Sequence, residues 1–296
     1  ASPEVAWMNA ADYPMRSLYF EQPSNGGEPT EFKATYTVTT YPRRYELDPE
    51  RVAAVSQTDN GYYDFYTSEE PPHVVFSDRI RNLADEMVGE ETNPVRKARR
   101  IYDSLAQTKH YSYAREYSTI RCIPEYVLDN GYGDCGQIAL TFITLCRAAG
   151  VPARWQSGWI MYPDWANLHD WTDIYVAPYG WVPVDPDFGM EFQATHDYLA
   201  PEELKHLQDF YFGGLDAYRL TVNRRHGYPH YPPKKDFRSD NVDFQRGELE
   251  TAGGENIYFG DFSYRLEKKI ISGGTAQNSS EAQESEQKPA DPGAAR

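Results

Sequence analysis

The chain has 296 residues, 40% hydrophobic and 25% charged, which is enough apolar material for one large water-soluble domain or two modest ones. Its net charge of −16 argues against nucleic acid or an anionic membrane surface as a partner. No stretch reaches the roughly 18 apolar residues of a membrane span, and Ala1-Ser2-Pro3-Glu4 does not read as a signal peptide.

The first 30 or so residues read as irregular. Phe32–Thr40 then alternates β-branched and aromatic residues and predicts a strand, with a weaker strand signal at Tyr62–Tyr66. Helical periodicity begins after Ser77, a candidate N-cap, with Ile80, Leu83, Ala84, Met87 and Val88 on one stripe and Gly89 as the stop. Asn93-Pro94 opens a second helix whose stripe is Val95, Ala98, Ile101, Tyr102 and Leu105. A third begins at Asp134-Cys135, runs through Ile138, Phe142, Leu145 and Cys146, and stops at Gly150. Strands are expected at Ala153–Met161, Trp171–Ala177 and Trp181–Asp185, the last two joined by a turn at Pro178-Tyr179-Gly180. A short helix at Glu202–Phe210 and a last strand pair near Val242–Leu249 and Ile257–Leu266 complete the pattern.

Three cysteines cannot all pair with one another, so at least one lies outside any internal disulfide; a Cys122–Cys146 bridge that leaves Cys135 free stays open. Cys146 sits mid-helix and Cys122 beside Ile123-Pro124, both positions that suit a buried, inert thiol. Cys135 differs. It falls in the first turn of a helix, where the macrodipole favours a thiolate, and glycines at 131, 133 and 136 keep its approach open. Asp134 works against that activation, since a neighbouring carboxylate raises a thiol pKa.

His169 precedes an alternating segment that puts His169, Trp171, Asp173 and Tyr175 on one face and turns Asp170 to the other. Asp173 is four residues along the strand, about 13 Å, too far to orient the imidazole. Across the hairpin, Asp185 or Asp187 could supply the third member of a Cys-His-Asp triad, and periodicity alone does not choose between them.

Gly133-Asp134-Cys135-Gly136-Gln137, Leu145 through Arg154 with Ser157-Gly158-Trp159, His169-Asp170-Trp171-Thr172-Asp173-Ile174-Tyr175 and Trp181-Val182-Pro183-Val184-Asp185-Pro186 resemble, in order, the sequence blocks of the transglutaminase-like superfamily. The resemblance spans roughly residues 75 to 200, is closest to bacterial members, and selects Asp185 as the triad acid. It implies an α+β fold with the nucleophile helix packed on an antiparallel sheet, as in papain, plus flanking β segments. The expected organisation is a β-rich lead-in over 1–74, a catalytic core over 75–230, a β-containing extension over 231–272 and a disordered tail over 273–296.

The resemblance further implies a thiol hydrolase or acyltransferase, with peptidase or amidase chemistry favoured over protein cross-linking. Its substrate would be a peptide, a protein or an amide of the cell wall, met outside the cytoplasm, and no cofactor or metal is called for. Tyr111 and Tyr113, with Trp171, are candidates for an oxyanion donor or cleft wall. The alternative is a catalytically idle module of this fold that binds peptide or glycan through an aromatic cleft. His226 and His230, four apart but separated by Gly227 and Pro229, are read as loop histidines rather than zinc ligands. Asn278-Ser279-Ser280 matches a glycosylation acceptor by chance, and Glu255–Gly260 is read as native sequence despite its likeness to a protease-tag site.

Overall fold

The computed structural model describes residues 6–7, 15, 17–24, 26–52, 62–113, 115–195 and 198–271; the tail over 273–296, with Asn278, lies outside them. The first helix, α1 (Asp78–Val88), starts on Ser77, whose Oγ accepts from the Ile80 N–H at 3.2 Å. It buries Ile80, Ala84 and Val88 and ends on Gly89 at φ 53°. In α2 (Pro94–Thr108) the Asn93 Oδ1 accepts from the N–H groups of Val95 and Arg96, and the buried face includes Val95, Ala98, Ile101, Tyr102 and Leu105. A further helix, α3 (Ile123–Asn130), closes on Gly131 at φ 77°.

The central helix is α4 (Cys135–Ala148), capped by the Asp134 carboxyl on the Gln137 N–H at 3.1 Å. Every residue from Gly136 to Arg147 is buried. Such a helix must be covered on all sides, and α1, α2 and α3 pack around it while its remaining side lies on a sheet.

That sheet has four antiparallel strands: β1 (Ala153–Tyr162), β2 (Trp165–Val176), β3 (Gly180–Val184) and β4 (Arg219–Asn223), in the order β4-β1-β2-β3. The hairpin pairs Tyr162 with Trp165, so β2 starts well before Trp171 and carries His169 opposite Gly158. Ala153, Trp155, Ile174, Val176, Val182 and Val184 join Ile138 and Phe142 of α4 in one apolar core. This is the expected α+β arrangement, a helix bearing Cys135 at its start packed on an antiparallel sheet, with short β pairs around it. Two helices follow β3: α5 (Pro186–Thr195) and α6 (Pro201–Phe210). No described helix is long and apolar enough to cross a membrane.

Several expected strands do not form. Phe32–Thr40 is exposed and joins no ladder; single side chains tie it down instead, with Tyr36 5.9 Å from the Trp159 ring and Phe32 5.9 Å from Phe20. Tyr62–Tyr66 is a helical turn, with Phe65 and Tyr66 held by rings and cations instead: Tyr66 lies 4.8 Å from the Trp181 ring, and the Arg147 guanidinium stands over both. The C-terminal pair shrinks to Leu249–Glu250 against Asn256–Ile257.

Candidate active site

Asp185 is the residue on which the site converges. β3 stops at Val184 and Pro186 opens α5, so Asp185 caps a helix as it leaves a strand. One carboxylate oxygen accepts from the Phe188 N–H at 3.0 Å; the other accepts from His169 Nε2 and from Arg219 Nη1, both at 2.8 Å. Burial works to raise this carboxyl, but His169 and Arg219 outweigh it and hold Asp185 at about 2. An ionised carboxylate has no hydrogen to give. Nε2 therefore carries the imidazole hydrogen, and Nδ1 is left as the basic nitrogen.

Burial pushes the His169 imidazole below its ordinary value, with Asp185 pulling the other way, so at rest the ring is neutral. Phe188 packs on it with centroids 4.6 Å apart, and Trp171 stacks at 6.1 Å. Trp171 is only 1% exposed and carries the Arg219 guanidinium against its ring; it backs the imidazole and lines no cleft.

The hairpin register sets Thr172 opposite Val184 and would bring Asp187 level with His169 if β3 continued. It does not continue. Asp187 sits in the first turn of α5 with Oδ2 4.0 Å from Nδ1, beyond hydrogen-bond reach. Asp173 is occupied elsewhere, 2.8 Å from Arg154 Nε.

Cys135, half-buried at the start of α4, makes its hydrogen bond to Asp170 Oδ2 at 3.7 Å, and none to His169. Asp170 does lie on the opposite face of β2 from His169, as alternation predicts. That face, shared with Ile174 and Val176, is the one α4 covers, so Asp170 meets the helix start. Gly136 permits the approach: a Cβ there would come within 2.4 Å of the Tyr117 hydroxyl and 2.7 Å of Asp170 Oδ2.

Burial, then the carboxyls of Asp170, Asp134 and Asp187, push Cys135 well above the ordinary thiol value. Burial also raises Asp134 to about 6, although the Tyr117 hydroxyl and the Gln137 N–H bond it. Burial and these carboxyls thus oppose the thiolate that the helix position favours.

Tyr111 lies in a two-residue strand, His110–Tyr111, that pairs in parallel with Tyr132–Gly133 immediately before Asp134. It stands beside the helix start, whereas Tyr113 is 89% exposed. Cys122 and Cys146 are free thiols, Cys146 fully buried in the core. His226 faces Glu70 at 3.6 Å and His230 faces Glu248 at 2.5 Å, so the two imidazoles serve separate carboxylates.

Three participants carry no readable sequence signal. Arg219 opens β4, whose Arg-Leu-Thr-Val-Asn is too short and mixed to stand out. Tyr117 reaches Asp134 from the short 3-10 turn Tyr117–Thr119. Gln245 comes from 76 residues beyond His169 to donate to its carbonyl and to Asp170 Oδ1, each at 2.7 Å.

A half-buried thiol thus opens a helix packed on an antiparallel sheet whose second strand carries a carboxylate-bound histidine. Residues 81–186 match the family model of the transglutaminase-like superfamily. Among curated proteins, the Bacillus subtilis protein YebA is 25% identical over 173 residues, covering 52% of this chain and 23% of its own length. A Haemophilus influenzae protein is 26% identical over 189 residues, covering 54% of this chain and 50% of its own length. The chain therefore spans half or less of the curated relatives it matches. Among solved structures, a proposed cysteine protease from Cytophaga hutchinsonii aligns with a TM-score of 0.39 and 23% identity, covering 46% of this chain and 45% of that one. The periplasmic domain of TgpA from Pseudomonas aeruginosa aligns with a TM-score of 0.38 and 20% identity, covering 52% of this chain and 54% of that one.

Proposed function

We propose that the chain is a cysteine-dependent amide hydrolase that works through a thioester on Cys135, with His169 as base and Asp185 as its orienting acid. The observation that carries this reading is the 2.8 Å bond from His169 Nε2 to a carboxylate held ionised, which leaves Nδ1 as the basic nitrogen of a neutral imidazole one residue before Asp170, the residue that meets the Cys135 thiol. In the proposed cycle the thiol proton passes to Nδ1 and the sulfur attacks an amide carbonyl. The backbone N–H groups at the start of α4, together with a donor from the Tyr111 segment, receive the oxyanion. The imidazolium protonates the departing amine, Nδ1 then takes a proton from water, the hydroxide adds to the thioester carbonyl, and the C–S bond breaks as the imidazolium returns that proton to sulfur and the acid leaves. Peptides, proteins and amide-containing cell-wall fragments are the substrate classes proposed.

The test is amine release from peptide and peptidoglycan-fragment substrates by wild type, Cys135→Ala and His169→Ala. Wild type should turn over at least one class, and either variant should lose about 10⁴-fold or more. Turnover by Cys135→Ala at the wild-type rate would overturn the mechanism. Absence of turnover by wild type on every class would favour the peptide- or glycan-binding alternative.

A further inference from the structure

We propose that Asp170 restrains the nucleophile, as the hydrogen-bond acceptor that holds the Cys135 thiol protonated at rest, and that Gln245 is the positioning residue that aims it. This rests on Cys135 being the nucleophile.

The geometry is specific to each oxygen. Gln245 Nε2 binds Asp170 Oδ1 at 2.7 Å and, through the same nitrogen, the His169 carbonyl at 2.7 Å. Oδ2 is left turned to the sulfur at 3.7 Å. Asp170 has no exposed surface, and Gln245 is 8% exposed. A buried carboxyl fixed at one oxygen is a directed acceptor, not a solvated charge. The segment that brings Gln245 is itself tied down: the Asp243 carbonyl accepts from Ser157 Oγ at 3.4 Å, and Arg246 pairs with Glu116 at 2.5 Å.

Many charged groups surround this pair. Asp134 and Tyr117 lie at the helix start, Asp187 on α5, and His169 with its Asp185 on the strand side. Asp240, Asp243 and Arg246 come from the C-terminal segment. Of these, Asp170 is the one hydrogen-bonded to the sulfur. Activation then requires the S–H hydrogen to leave Oδ2 and transfer to His169 Nδ1. The electron pair stays on sulfur, and Asp170 is unchanged. Two strongly interacting groups titrate together, so the sulfur ionises later than it would beside a neutral partner.

The experiment follows alkylation of the full chain by iodoacetamide between pH 5 and 10, with each cysteine quantified by peptide mass spectrometry. It needs no turnover, so it can succeed even if the hydrolase reading fails. Asp170→Asn should move the Cys135 midpoint down by about one unit, making labelling near pH 7.5 about tenfold faster. Gln245→Ala should move it the same way by a smaller amount, and Cys122 should stay put in both. A Cys135 profile in Asp170→Asn that overlays wild type, or moves to higher pH, overturns the proposal. If that variant does not fold, an unchanged profile in Gln245→Ala overturns it instead.

Discussion

Asp185 does three things with two oxygens: it caps α5, orients His169 and anchors Arg219. Arg219 is itself fixed by Asp216 at 2.8 Å and sandwiched among Phe188, Trp171 and Tyr211, so the carboxylate cannot rotate away from the imidazole. Asp187, in contrast, stands off Nδ1 and helps hold the thiol protonated. The two acids should therefore respond oppositely. Asp185→Asn keeps the cap oxygen but can offer an N–H to Nε2 and favour the wrong tautomer, so substrate turnover should fall by about 10³–10⁴-fold. Asp187→Asn should leave turnover within about tenfold and ease ionisation of Cys135. Steady-state kinetics on any substrate found for wild type decides this, and an equal loss from both would sink the assignment of Asp185 over Asp187. Sequence spacing left those two open because it cannot tell where a strand gives way to a helix; Pro186 at the first position of α5 resolves it. Resemblance to family blocks had already selected Asp185, but no spacing argument pointed to Arg219 or Gln245, whose partners lie 34 and 76 residues away in the chain.

Among the elements, α1, α2 and α4 were readable because each combines a cap with an apolar stripe, and α1 and α4 add a glycine stop, all local signals. α3 was not, since Ile123-Pro124 sits in what reads as a loop. β4 was not either, because its place is set by pairing with β1. Conversely, the alternating run Phe32–Thr40 has strand propensity without a sheet to join, which shows how far β-propensity depends on a partner surface. The β1–β4 pairing depends on one glycine. A Cβ on Gly158 would stand 1.9 Å from the Leu220 carbonyl oxygen, a contact with backbone that no side-chain rotation relieves. Gly158→Ala must push β4 outward and carry Arg219 from Asp185. We expect a loss of about 2–3 kcal/mol in chemical denaturation, accompanied by lower turnover even in the fraction that stays folded. Wild-type stability in that variant would mean the strand edge is softer than the structure shows.

At the scale of the molecule, buried acids and buried imidazoles oppose one another as pH falls. Burial holds Asp134 and Asp243 at about 6 and raises Asp170 and Asp240 well above the usual carboxyl range. Between about pH 6.5 and 4 these four keep protons that the unfolded chain releases, so acidification stabilises through them. Burial also lowers His73 to about 4 and depresses His169 and His230. In the same window the unfolded chain protonates these histidines and the native state does not, so acidification destabilises through them. The two sets offset. Below about pH 4 the opposition ends, because carboxyls of the first set are protonated in both states. Glu70, Asp185 and Glu248 then dominate: burial raises each, but facing cations outweigh it and hold all three at about 2. Their folded values lie below the unfolded ones, so the stability they supply is complete above about 4.5 and is lost as pH falls toward 2. Urea midpoints measured from pH 7 to 2.5 should therefore run nearly level from 6.5 to about 4.5 and then drop steeply. A steady decline beginning at pH 6.5 would show that the imidazoles act without the carboxyl cluster around Cys135, and would count against the raised acids placed there.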